Sequence, residues 1–178
     1  MNNEKKNKIR QRIKLFNIVR DIPFYISIGE EQDYSCATKS YILEMLFKPL
    51  GLKVKHILCL FKWEKFNLPK ELLRIPHDTE ETHEYLSVFI PENKKWVIVD
   101  PTWDSRIQHP SIPIAEWDGL NKTVVGVPAE YTWSPEESGR LIEQKKNILD
   151  KEKKEYLRRN SQFFSLFNRW LESNRNSL

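Results

Sequence analysis

Three residues of the types that catalyse acyl transfer stand where helices and strands are expected to begin or end. Cys36 lies in the first turn of a predicted amphipathic helix. His83 opens a strand-like run that ends at Ile90, and Asp100 closes the next run. A cysteine thiolate is the reactive form of the thiol, and a helix N-terminus and an adjacent imidazolium both favour it. The pattern therefore predicts a cysteine nucleophile with a histidine base and an orienting aspartate.

A β-hairpin is expected to bring the histidine and the aspartate together. Pro91 suits the second position of a type I turn, so Ile90 is expected to pair with Lys95 across the loop. Because side chains alternate along a strand, that register puts Asp100 and His83 on the same sheet face as diagonal neighbours. Such Cβ atoms are roughly 7–8 Å apart, which these two side chains can bridge. A slip of one residue would separate them.

The helix that carries the cysteine is predicted from its ends. Ser35 is the expected N-cap, and the helix runs to about Leu50 with Gly51 as its C-cap. Apolar residues at helical spacing predict the face that packs against a sheet. These residues are Ile42, Met45, Leu46 and Leu50.

The remaining chain predicts an α+β fold in two parts. A strand is expected over 53–63 and a loop over 104–127, before a helix start at Ser134 with proline and glutamate following it. We expect a catalytic core over 1–133 and a C-terminal helical extension over 134–178 that docks on the core. The docking stripe of the extension is Phe163, Leu166, Phe167, Trp170 and Leu171.

Composition narrows the class of protein. The 178 residues are 39% hydrophobic and include two cysteines, too few for a disulfide framework, and Cys59 sits in an apolar run that predicts burial. No stretch approaches the ~20 apolar residues of a membrane span, and no apolar segment of a signal peptide follows the N-terminus. We therefore expect a cytoplasmic protein without membrane contact. Its net charge of +4 comes with no nucleic-acid motif, so no nucleic-acid partner is expected.

No cofactor or metal is expected either. His56, His77 and His109 lack the spacing of metal ligands. The rival acid to Asp100 is Asp104, and the hairpin register favours Asp100.

Two further positions have expected supporting roles. For the oxyanion, the backbone N–H of Cys36 is the first expected donor, and Gln32 is the candidate second donor. Trp103 lies close enough to Asp100 in the chain to shield the histidine–aspartate pair from water.

Five segments share their motifs with one known superfamily: 19–23, 36–40, 48–52, 83–85 and 96–104. Together they resemble the transglutaminase-like superfamily, and most closely its small stand-alone microbial members; residues 167–172 resemble the closing helix of such proteins. The resemblance runs from about Ile18 to Trp133, with Ser35 and Glu84 standing where the family usually has a glycine and a small residue. It implies a papain-like α+β fold, with the cysteine at the start of a central helix packed on an antiparallel sheet, and it places the family triad on Cys36, His83 and Asp100.

The expected function is a thiol enzyme that acts on amide bonds of a protein or peptide through a thioester acyl-enzyme. Water as the acceptor gives a peptidase or amidase, and an amine gives a transglutaminase; hydrolysis is favoured because no additional β-domain or calcium loop is recognisable. Two alternatives stay open. One is a catalytically silent interaction module, and the other is acyl transfer from a carrier thioester, as in arylamine acetyltransferases. The sequence leaves the oligomeric state undetermined.

Overall fold

The computed structural model describes residues 3–176, so the first two residues of the predicted core and the last two of the predicted extension lie outside it. The protein has an α+β fold with a four-stranded antiparallel sheet. Its elements are α1 (Asn3–Arg20), α2 (Cys36–Phe47), β1 (Val54–Lys62), α3 (Lys70–Leu73), β2 (Glu80–Ile90), β3 (Lys95–Val99), β4 (Tyr131–Thr132), α4 (Pro135–Lys146) and α5 (Asp150–Ser173), with 3₁₀ turns at Lys48–Leu50 and Trp63–Phe66.

The strand order β3-β2-β1-β4 places the predicted hairpin at one edge of the sheet. Ile90 pairs with Lys95, and Leu86 pairs with Val99, so the predicted register is confirmed. The next residue after β3, Asp100, therefore comes level with Tyr85 and one alternation away from His83.

Helix α2 begins at Cys36, as predicted, and a 3₁₀ turn carries the chain on to Gly51, whose φ of 70° closes it in the left-handed conformation. Of the predicted apolar face, Ile42, Leu46 and Leu50 are partly buried and pack against the core, but Met45 is 46% exposed. Six of the last seven residues of this helix are apolar or aromatic, so their spacing alone does not single out one face. The buried residues are Lys39, Ser40, Leu43 and Phe47.

The C-terminal part of the chain begins as predicted and forms two helices. Ser134 and Glu137 form a reciprocal capping box at the start of α4. The helical extension expected over 134–178 consists of two helices, α4 and α5, separated by residues 147–149. Helix α5 buries Phe163, Phe167 and Leu171 of the predicted stripe in the same apolar cluster as residues of β1 and β2.

The loop over 104–127 has no helix or strand, as expected, and it is held from both ends of the chain. The Asp104 carboxylate accepts hydrogen bonds from the backbone N–H of Phe24 and from the Arg175 guanidinium, just beyond α5. Within residues 3–176, no helix is both long enough and apolar enough to cross a membrane.

Candidate functional site

The N-terminus of α2 is organised by a carboxylate that the sequence analysis did not single out. Oδ2 of Asp33 accepts hydrogen bonds from the backbone N–H and hydroxyl of Ser35 and from the hydroxyl of Thr38. Oδ1 of Asp33 accepts from the backbone N–H of Ser27. These bonds fix the loop that leads into the helix, and so they fix the position of Cys36 at its first residue.

The predicted contact between His83 and Asp100 is present. Nε2 of His83 lies 2.7 Å from Oδ2 of Asp100, and the two residues are 2% and 1% exposed. An ionised carboxylate only accepts hydrogen bonds, so the imidazole N–H is the donor and Nδ1 is left for another partner. The Cys36 side chain also interacts with this imidazole.

Charge at the pair favours a protonated imidazole. Burial alone would lower the pKa of His83, but the Asp100 carboxylate and the Cys36 side chain outweigh it and raise that pKa to about 10. For Asp100, burial alone would raise the pKa, but His83 together with hydrogen bonds from Thr102 and Gly126 lowers it below its ordinary value. At neutral pH the pair is therefore an imidazolium beside a carboxylate.

Gly126 closes the pair from the far side and was missed by the sequence analysis. Its backbone N–H donates to Oδ2 of Asp100 at 2.7 Å, the same oxygen that faces His83. A Cβ at this position would lie 3.2 Å from that oxygen and 3.4 Å from Cε1 of His83. The sequence did contain one signal: glycine is rare in this chain, with five in 178 residues, so each glycine is a candidate for a position where a side chain does not fit.

Trp103 covers the same corner, as its position in the sequence suggested. It is 3% exposed, and its indole N–H donates to the carbonyl of Gly126 at 2.6 Å. The ring therefore holds the glycine against Asp100 and keeps bulk water from this side of the pair.

Lys39 ties the helix of the cysteine to the segment of the aspartate. It is completely buried one turn after Cys36, and its ammonium donates to the carbonyls of Arg20, Ile22 and Thr102. Burial lowers the pKa of Lys39 to about 7, although the carboxylates of nearby aspartates oppose that shift. Three carbonyl acceptors match the three N–H donors of an ammonium group.

A cavity of about 270 Å³ opens beside the thiol. Cys36 and His83 line it together with side chains from α5, so the C-terminal helix forms part of the same site. Seven of the twenty lining residues are phenylalanine, tyrosine or tryptophan. The aromatic residues are Phe24, Phe61, Trp63, Phe66, Trp103, Tyr156 and Phe164.

The other candidates of the sequence analysis lie elsewhere. Asp104 pairs with Arg175 rather than with a histidine. Gln32 is exposed, its amide donates to the carbonyl of Asp33, and it is not among the residues that line the cavity, so this placement gives its predicted oxyanion role no support. Cys59 is fully buried, as predicted, and burial together with nearby Asp100 raises its pKa to about 12.

The remaining histidines do not join the cavity. His56 contacts the carboxylates of Glu44 and Glu84, and His77 stacks on Phe163. In residues 3–176, no group of three or more histidine, cysteine, aspartate or glutamate side chains is arranged to hold a metal ion.

Comparisons of the chain with protein-family models, with curated proteins and with solved structures give no match.

Proposed function

We propose that the protein is a thiol enzyme that hydrolyses amide bonds of a protein or peptide, with Cys36 as nucleophile, His83 as acid and base, and Asp100 as the group that orients the imidazole. The observation that carries the proposal is the buried 2.7 Å contact between His83 and Asp100, at a cavity that also exposes the first residue of α2. A buried histidine–carboxylate pair costs desolvation, and a catalytic role is a specific reason to retain one.

The reaction begins with the thiolate and the imidazolium. The Cys36 sulfur attacks the carbonyl carbon, a C–S bond forms, and the negative charge moves to the carbonyl oxygen. We assign the backbone N–H of Cys36, at the start of α2, as one donor to that oxyanion. As the C–N bond breaks, His83 gives its proton to the leaving amine and the thioester remains.

Hydrolysis of the thioester restores the starting state. Neutral His83 takes a proton from water, and the hydroxide attacks the thioester carbon. The C–S bond then breaks, the acid is released, and the thiolate and imidazolium are regenerated. Asp100 keeps one imidazole nitrogen occupied throughout, so the other nitrogen faces the reacting atoms.

The resemblance of the sequence to transglutaminase-like enzymes supports the same proposal, and the papain-like arrangement is the fold we propose for the core. Helix α2 starts with the cysteine and contacts β2 through a hydrogen bond from the Ser40 hydroxyl to the carbonyl of Glu84. A reducing compartment such as the cytoplasm would keep the Cys36 thiol free.

Selective labelling tests the proposal. Iodoacetamide at pH 7 is expected to modify Cys36 within minutes and to leave Cys59 unmodified, because Cys59 is buried and Cys36 is not. With an activated thioester as substrate, Cys36→Ala is expected to abolish turnover. His83→Ala is expected to lose almost all of it. Cys59→Ala is the matched control and retains the rate.

Two results would contradict the proposal. One is thioester hydrolysis that is undiminished in folded Cys36→Ala, and the other is labelling of Cys36 no faster than that of a free cysteine peptide. Either result would contradict the assignment of Cys36 as the nucleophile.

A further inference from the structure

Seven of the twenty residues that line the cavity beside Cys36 are phenylalanine, tyrosine or tryptophan, and several of these rings pack on one another. Phe24 and Trp103 have ring centroids 4.4 Å apart, and Trp103 and Phe66 have centroids 5.7 Å apart. Each of these three residues is no more than 5% exposed. Mutual packing of this kind makes the wall preformed, because moving one ring would disturb its neighbours.

Three charged side chains that line the cavity are hydrogen-bonded to neutral groups. Glu81 accepts a hydrogen bond from the Tyr156 hydroxyl, and Lys145 donates to the Thr82 hydroxyl. Asp33 accepts hydrogen bonds at the start of α2. A charged group that packed against the aromatic rings would lose its water without meeting a counter-charge among those rings.

The volume sets the size of the occupant. A dry cavity of ~150 Å³ already holds a benzene ring, so about 270 Å³ has room for a ring or a branched aliphatic group with a few linking atoms. Pockets that bind small ligands usually have a volume of at least ~300 Å³, so this cavity is close to the lower limit of that range. A long acyl chain or a folded loop would exceed the space.

We infer that the acyl group delivered to Cys36 is compact, uncharged and apolar, an aromatic ring or a branched aliphatic side chain next to the scissile carbonyl. This inference rests on the proposed function and specifies the acyl part of the substrate. The amide substrates of the enzyme then carry such a side chain on the residue that becomes the thioester. Each buried methylene contributes ~0.8 kcal/mol, which is about fourfold in kcat/KM.

A series of p-nitrophenyl esters with one leaving group tests the inference. The acyl groups are acetyl, butyryl, phenylacetyl and succinyl, and each rate is divided by the rate of hydroxide hydrolysis. Phenylacetyl is expected to exceed acetyl by at least thirtyfold, and anionic succinyl to fall below butyryl. A flat profile, or a preference for succinyl, would overturn the inference.

Leu157 on α5 offers a variant within the wall, since it lines the cavity and is only partly buried. Leu157→Trp is expected to fill the space and to lower the ratio of phenylacetyl to acetyl rates at least tenfold. The matched control is Leu149→Trp at the exposed start of the same helix, which should leave that ratio unchanged.

A binding measurement on the unmodified protein separates the two proposals. Phenylacetamide is expected to slow iodoacetamide labelling of Cys36, and acetamide at the same concentration is not. If the ester rates depend on Cys36 but show no acyl preference, only the pocket inference fails. If no ester is hydrolysed yet phenylacetamide protects Cys36, the enzyme proposal fails and an apolar binding pocket stands; with neither turnover nor protection, both fail.

Discussion

His83 and Asp100 are joined by a 2.7 Å hydrogen bond between two side chains that are almost completely removed from solvent. In such surroundings the carboxylate of Asp100 raises the pKa of the imidazole, and the imidazolium of His83 lowers the pKa of the carboxylate. Each residue therefore depends on the other for its ionisation state. A substitution at either one is expected to affect the reaction rate more than the fold.

Asp100→Asn is expected to lower kcat/KM for a thioester by roughly 10²–10³-fold, because an amide can favour the wrong tautomer of His83. The corresponding change in serine proteases costs ~10⁴-fold, and a thiolate needs less activation than a hydroxyl. The measurement is steady-state kinetics together with a circular dichroism spectrum.

Asp104→Asn is the control for this prediction. It weakens the buried pair with Arg175 and is expected to cost about 3 kcal/mol of unfolding free energy, while the rate per folded molecule is retained. A rate loss equal to that of Asp100→Asn in folded protein would mean that Asp104 is the functional acid.

Gly126→Ala is expected to lower the rate by at least tenfold without unfolding the protein. The added Cβ would lie 3.0 Å from Nε1 of Trp103 and 3.2 Å from Oδ2 of Asp100, so the aspartate must shift away from His83. Gly139→Ala on α4 meets no atom within 4 Å and serves as control. Unchanged kinetics in Gly126→Ala would show that the site tolerates this shift.

Protonation of His83 is expected to make the stability of the fold depend on pH. Its pKa is about 10 in the folded protein and ~6.5 in an unfolded chain, so the folded state holds the extra proton between these values. The resulting stabilisation is complete below pH ~6.5 and is lost as the pH rises through about 10. NMR of the imidazole should accordingly find His83 protonated at pH 8.

Urea unfolding supplies the second measurement of this effect. The stability difference between the wild type and His83→Gln is expected to shrink as the pH rises from 7 to 10. A neutral His83 at pH 7, or a stability difference that grows with pH, would contradict the assignment.

Lys39→Met should destabilise the fold by about 2–3 kcal/mol, because buried carbonyls lose their donor while the cost of a buried charge is relieved. It should also lower the rate per folded molecule, since Thr102 loses its tether and its backbone N–H holds Oδ1 of Asp100. Lys48→Met, at an exposed lysine of the following turn, is the control. Equal stability of the two variants in urea would show that the three carbonyl contacts of Lys39 contribute nothing.

The amino-acid sequence alone determined the local features of this protein. Pro91 sets the hairpin register, because a turn type limits which residues can pair, and the pairing of Ile90 with Lys95 followed. Ser134 and Glu137 set the start of α4 through a capping box that needs only neighbouring residues. From the register, the contact between His83 and Asp100 could be predicted, since alternation along two paired strands is a local rule.

Only the tertiary structure decided which residues surround that contact. Gly126 reaches Asp100 across a loop without regular structure, and Tyr156 reaches the cavity from a helix distant in the chain. The buried face of α2 was likewise settled by packing, because an almost continuous apolar run favours no single face by its spacing. Contacts of this kind depend on the shape of all the packed elements together, and no local pattern in the sequence encodes them.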